Sequence, residues 1–279
     1  MSCTNPAPAS GQPPPWTLRS MAPGARWLLA ARSSTSDALA LGPAIVTVVP
    51  VASLPTLEVP PPMSKTYEEA LAQLTAKGGL FEIVTEPVRG LPMKNFKNRE
   101  KSLREKIANA GLRGDTVFMV QGEHRISYAE NARLVWGAGH ALKDGFGFRA
   151  GDRLAILAYN SPDWLIALFA TASIGGIAVG LNGWWTPEEI EYGLADSGSR
   201  FLVVDERLYP RVERLAGKLP GLERIFYIGE QAPRGTVPIR ELLTPHNAMP
   251  TDPISEDDPF VILYTSGTTG RPKGCITTH

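Results

Sequence analysis

At 279 residues, with 43% hydrophobic and 20% charged side chains, the chain is long enough to bury one large core or two small ones. Its 28 Lys plus Arg balance its 28 Asp plus Glu, which excludes a surface that holds polyanions by net charge and leaves only local phosphate recognition. Two cysteines, Cys3 and Cys275, lie at opposite ends and make no disulfide framework, so a reducing, cytoplasmic setting is expected.

Residues 1–62 read as a segment apart. They hold 12 of the 25 prolines and only five charged residues, Arg19, Arg26, Arg32, Asp37 and Glu58. Pro13-Pro-Pro15 and Pro60-Pro-Pro62 bracket a stretch that can neither ladder nor coil continuously, so disorder is expected. The Arg- and Ser-bearing start has something of a transit peptide. The apolar run Leu39 to Leu54 is broken by Pro43 and Pro50 and is shorter than the about 20 residues a bilayer needs. Ordinary charged sequence begins at Met63, which makes Met63 the expected start and the upstream part a mispredicted extension.

From residue 63 to 279 the chain reads as one globular α/β unit. Leu71 and Leu74 give Tyr67 to Ala76 helical spacing, and the Gly- and Pro-bearing stretch from Gly78 to Pro92 reads as a linker. Leu103 to Ala110 is a second helix. Thr116 to Val120 and His124 to Ser127 are two strands about Gly122. Ser127-Tyr-Ala-Glu130 is a capping box that opens a helix to about Leu142. Strands then alternate with helices: Arg153 to Ala158, a helix capped by Ser161-Pro162, Ile177 to Leu181, a helix boxed by Thr186-Pro-Glu-Glu189 and ended by Gly198, Phe201 to Val204, a helix Tyr209 to Gly217, and Arg224 to Ile228. That alternation predicts a mainly parallel sheet flanked by helices on both faces.

The chemistry sits near the far end. Pro259 to Tyr264 is a short apolar strand that empties into Thr265-Ser266-Gly267-Thr268-Thr269-Gly270-Arg-Pro-Lys273. Two glycines let backbone N–H groups turn inward, the hydroxyls add donors, and Lys273 supplies a point charge, a composition suited to phosphate. The other phosphate loop, G-x-x-x-x-G-K-[ST], does not fit, because Pro272 stands where its second glycine would fall and Gly274 follows the lysine. In open α/β sheets ligands settle at the carboxyl ends of strands, and this loop leaves such an end.

Tyr264 through Lys273 resembles the signature of the AMP-forming, or adenylate-forming, superfamily. The resemblance covers roughly residues 92 to 279 and includes Gly151-Asp-Arg-Leu-Ala-Ile156, Asn160-Ser-Pro-Asp-Trp164, Trp184-Trp-Thr-Pro-Glu-Glu189 and Tyr192-Gly-Leu-Ala-Asp-Ser-Gly198. These look like the amino-terminal half of an acyl-CoA synthetase, the Trp-Trp-Thr segment most like bacterial fatty-acyl-CoA ligases. The resemblance implies a two-step reaction on ATP, a carboxylic acid and coenzyme A, passing through an acyl-adenylate. It implies that Thr265, Ser266, Gly267, Thr268, Thr269, Gly270 and Lys273 hold the ATP phosphates, that Lys273 offsets charge on the leaving pyrophosphate, and that Thr265 helps seat Mg²⁺. The family's downstream segments for Mg²⁺, ribose and the catalytic lysine of the smaller domain are not in this sequence. The chain is therefore expected to be an amino-terminal fragment, inactive alone, whose function belongs to a complete enzyme or to a complex with a separately encoded remainder, or else a pseudogene product that binds polyphosphate at most.

Other residues carry plainer expectations. Trp184 and Trp185 read as core packing before an acyl pocket. His279 reads as solvated, and His124, His140 and His246 stand singly with no metal-ligand spacing. Asp257-Asp258 reads as the end of a turn. A sheet ending after Ile276 should leave an apolar edge exposed, with poor solubility as its consequence. Neither nucleic acid nor a membrane span is indicated.

Overall fold

The computed structural model describes residues 65–215, 217–265 and 270–279, so the proline-rich segment, Cys3 and Met63 lie outside the described residues. Within them the order is α1 (Tyr67–Thr75), β1 (Ile83–Val88), β2 (Leu91–Phe96), α2 (Leu103–Gly111), β3 (Val117–Gln121), β4 (His124–Ser127), α3 (Tyr128–His140), β5 (Arg153–Leu157), α4 (Pro162–Ser173), β6 (Ile177–Gly180), α5 (Pro187–Ser197), β7 (Phe201–Asp205), α6 (Tyr209–Val212), β8 (Arg224–Ile228), β9 (Val237–Pro238), β10 (Pro259–Thr265) and β11 (Lys273–Thr278).

Local chemistry sets most of these boundaries. Thr66, Ser102, Ser127, Ser161 and Thr186 each accept a hydrogen bond from the backbone N–H three residues on, which satisfies a donor the helix itself cannot. The reciprocal half, a glutamate returning to the cap N–H, forms at Thr66/Glu69 and Thr186/Glu189. At Ser127 only the serine half forms, so the expected box is a simple cap.

Seven strands make one sheet in the order β11-β10-β6-β5-β7-β8-β9, with β5 at its centre. All neighbours run parallel except β10 and β11, which are antiparallel. The two-residue period of the strands sends Leu154, Ile156, Phe201, Val203 and Phe226 to one face, under α2, α3 and α4. Ala155, Leu157, Leu202, Val204 and Tyr227 go to the other, under α5 and α6. Strands buried on both faces are what near-continuous apolar runs require.

Three expectations need correction. The stretch from Gly78 to Pro92 is not a linker, because β1 and β2 pair as a hairpin through residues 83–96. Arg89 and Gly90 both take positive φ, 49° and 83°, the turn that matches strand twist. Pro87 faces Pro92 one step from that turn, in a non-hydrogen-bonded pair, so neither missing N–H costs a ladder bond. The helix from Tyr209 ends as α6 at Val212 and tightens into a 3-10 turn, Glu213–Leu215, before Gly217 turns the chain at φ 82°. The helix expected to reach Leu142 stops at His140 and widens into a π-helical turn, Ala141–Gly145.

The outer strand β11 leaves Cys275 and Ile276 exposed, and Leu263 beside it is exposed too. Among the described residues no helix is long and apolar enough to cross a membrane.

The segment after β9 packs on α3 at a point with no spare room. A Cβ on Gly137 would sit 1.7 Å from the Thr244 carbonyl oxygen, so any side chain must push α3 off the 240s. We expect Gly137→Ala to cost about 2–3 kcal/mol by overpacking. Gly145→Ala, with open space around it, should be near neutral. Urea unfolding of both variants checks the contrast.

Candidate functional site

Parallel pairing of β10 on β6, Val261 with Ala178 through Leu263 with Gly180, puts the carboxyl ends of the two strands side by side. Asn182 and Trp185 beyond β6, Glu189 of α5, the end of β10 and the residues before β11 line a polar cavity of about 400 Å³. Asn182, Glu189, Tyr264, Thr265, Gly270 and Arg271 are among its walls.

One carboxylate fixes this arrangement. Asp196 on α5 accepts from the Tyr264 hydroxyl at 2.7 Å and from the Tyr192 hydroxyl at 3.4 Å. Tyr192 also lies 3.3 Å from the Pro272 carbonyl, and the Arg271 guanidinium sits 5.4 Å over its ring. Both flanks of the loop are thus held by a single helix. Tyr264 is further wedged edge-on against Trp185, with ring centroids 5.3 Å apart. Burial, and then the bond to Asp196, push the Tyr264 hydroxyl well above its ordinary pKa. Gly274 is where the hairpin closes over this tyrosine, since a Cβ there would come within 2.9 Å of Ile262 Cγ2 and 3.6 Å of the Tyr264 ring.

The sequence-derived residues are distributed as follows. Thr265 ends β10 and is exposed, its hydroxyl 3.5 Å from the Lys273 carbonyl. Gly270 has φ 92° with open space around it. Lys273 is the first residue of β11, directly opposite Thr265, exposed and in no ion pair among the described residues. Ser266, Gly267, Thr268 and Thr269 lie outside the described residues. Strand alternation puts Lys273 and Thr265 on one face of the hairpin and Tyr264 and Gly274 on the other, and Lys273 is not among the cavity's walls.

The oxygens at the cavity, the Thr265 hydroxyl, the Asn182 amide and Glu189, are of the type a hard cation such as Mg²⁺ takes, although the Asn182 oxygen already accepts from the Trp184 N–H at 2.9 Å and one Glu189 oxygen from the Thr186 N–H. Asn182, Glu189, Arg271 and Asp196 were missed as site residues. A signal existed for Asp196, because Tyr192 and Asp196 are four apart on a helix and so share a face.

The tryptophans divide. Trp185 is buried in the α5 core as expected, whereas Trp184 is 87% exposed. His279 is not solvated: its Nδ1 accepts from the Leu103 N–H at 3.1 Å, at the start of α2, and its ring stacks on Phe260. Burial chiefly, with Arg104 adding to it against Asp258, lowers its pKa. His140 and His246 stand ring to ring at 4.5 Å, yet no group of three or more metal-ligating side chains forms among the described residues. Asp258 closes a turn by accepting from the Ser255 N–H, as expected.

The AMP-binding enzyme family model matches residues 107–279. A 3-hydroxybenzoate/4-hydroxybenzoate–CoA ligase of Thauera aromatica is 31% identical over 168 residues, 60% of this chain and 32% of that protein. A long-chain-fatty-acid–CoA ligase of Thermus thermophilus is 34% identical over 161 residues, 56% of this chain and 28% of that protein. The solved structure of the anthranilate CoA ligase AuaEII with anthranoyl-AMP superposes with a TM-score of 0.60 at 29% identity, over 64% of this chain and 35% of that one. The chain thus spans about a third of the length of these relatives.

Two pH effects follow with opposite signs. The raised Tyr264 pKa means the unfolded tyrosine loses its proton first, so stability should fall as pH rises above about 10. Tyr209 and Tyr227, also raised by burial, act in the same direction. Tyr264→Phe should reduce this alkaline loss and cost about 1–2 kcal/mol at neutral pH through its hydrogen bond to Asp196. The lowered His279 pKa means the unfolded histidine takes up a proton first, so stability should fall as pH drops through about 6.5. His279→Gln should lack that acid step. Denaturant titrations at pH 5.5, 7.5 and 10.5 read both.

Proposed function

Since the chain belongs to the AMP-binding enzyme family, whose model covers more than half of it, we propose that it is the amino-terminal part of an ATP-dependent acyl-CoA synthetase. In the first step a carboxylate oxygen bonds to the α-phosphorus of ATP as the bond to pyrophosphate breaks, giving an acyl-adenylate. In the second a thiol, that of coenzyme A, attacks the acyl carbon and AMP leaves. The observation that carries this reading is the polar cavity at the joined ends of β6 and β10, with Arg271 on its wall and Lys273 two residues further on, at the start of β11.

The role proposed for the loop is positional and electrostatic. Backbone and hydroxyl donors at Thr265, Ser266, Gly267, Thr268, Thr269 and Gly270 hold the β- and γ-phosphates so that the α-phosphorus meets the carboxylate in line. Lys273, uncommitted to any described carboxylate, offsets the charge that grows on pyrophosphate. Mg²⁺, when bound, neutralises triphosphate charge, and Thr265, Asn182 and Glu189 are the residues that would meet it. The fixed Tyr264–Asp196 bond keeps the strand end from yielding as these charges shift.

For the acid, we propose a fatty substrate, supported by the Trp184-Trp-Thr segment and the long-chain relative. An aromatic acid is the second reading, favoured by the hydroxybenzoate and anthranilate ligases among the relatives. A panel of alkanoates and benzoates, assayed on the full-length protein, separates the two.

In that full-length protein, Lys273→Ala should lower kcat for carboxylate-dependent pyrophosphate exchange by about 10²-fold with little change in KM for ATP. An unchanged kcat removes the lysine from the mechanism. The 279 residues alone, about a third of a complete relative, should give no exchange above background, leaving polyphosphate binding as their most.

A further inference from the structure

Arg271 and Lys273 are the cations that follow the loop, and of the two only Arg271 is among the described residues that line the polar cavity of about 400 Å³. The backbone there has little freedom. Gly270 turns the chain at φ 92°, and Pro272 confines the residue before it to extended conformations, so Arg271 is fixed between a positive-φ turn and a proline.

Its side chain is placed by α5. The Tyr192 hydroxyl lies 3.3 Å from the Pro272 carbonyl, and the Tyr192 ring carries the Arg271 guanidinium at 5.4 Å, so one tyrosine holds two successive residues. Asp196, one helical turn on, lies 3.4 Å from the same hydroxyl and steadies the ring. An aromatic face attracts a guanidinium without taking up any of its N–H donors. Among the described residues the Arg271 side chain makes no hydrogen bond and no ion pair, so those donors stay uncommitted at the cavity wall. The one carboxylate on the described wall, Glu189, has an oxygen engaged by the Thr186 N–H. A stacked guanidinium with free donors beside a polar space is a receptor for phosphate oxygens, which its planar fork meets in pairs.

We infer that Arg271 contacts the polyphosphate of ATP and that Tyr192 is the positioning residue that presents it. The nucleotide's identity rests on the acyl-CoA synthetase reading, whereas the phosphate contact rests on the stacked arginine itself. The two cations then differ in role. Arg271 holds phosphate oxygens equally in the bound substrate and in the transition state, while Lys273 acts on charge that grows only as pyrophosphate leaves. Uniform binding of the first kind is read in KM and not in kcat.

The test is carboxylate-dependent pyrophosphate exchange by the full-length protein, with tripolyphosphate binding to the same protein measured by calorimetry. Arg271→Gln should raise KM for ATP about tenfold and leave kcat within about threefold, the reverse of the pattern expected for Lys273→Ala, and the retained kcat shows that the variant is folded. Tyr192→Leu should raise KM about threefold, and the double variant should be no weaker than Arg271→Gln alone, because the tyrosine acts through the arginine. Tripolyphosphate should bind the unaltered protein saturably and the Arg271→Gln protein at least about fivefold more weakly. Active protein whose KM is unchanged by Arg271→Gln overturns the inference and leaves the synthetase reading standing. Additive effects of the two substitutions overturn the role given to Tyr192. Without exchange by the unaltered protein the synthetase reading falls, and weaker tripolyphosphate binding by Arg271→Gln still upholds the phosphate contact. Tripolyphosphate binding that is absent, or unaffected by Arg271→Gln, overturns that contact.

Discussion

Everything at the candidate site depends on β10 lying parallel to β6. The two strands are separated by some eighty residues of sequence, and three backbone pairs, Val261–Ala178, Ile262–Val179 and Leu263–Gly180, hold them in register. A slip of one residue would reverse every side chain, sending Val261, Leu263 and Thr265 to the α5 side and Ile262 and Tyr264 to the opposite one. It would also part Tyr264 from Asp196. The apolar runs that bury the sheet are thus what aims the polar loop.

Much of the fold was legible because the signals were local. Hydroxyl caps, prolines in first turns and glycines at element ends mark α4 and α5 almost to the residue, and a strand buried on both faces advertises itself as an unbroken apolar run such as Leu154 to Leu157. The hairpin β1–β2 was missed for a local reason too: its prolines sit where a strand tolerates them, and its turn uses arginine at positive φ where glycine or asparagine is the usual cue.

The site was legible only in part. Gly270, Thr265 and Lys273 announce phosphate by composition, but nothing in composition says that Lys273 begins a strand and is not among the cavity's walls. Asp196 carries no motif. Its importance comes from three side chains, Tyr192, Asp196 and Tyr264, meeting across a helix and a strand.

The strand β11 has a different occupation at each end. At its start Lys273 pairs with Thr265 of β10, and just past its end His279 accepts the first free N–H of α2. Six extended residues span about 20 Å as a nearly inextensible rod. One strand therefore fixes the distance between the Thr265 end of the sheet and the first turn of α2.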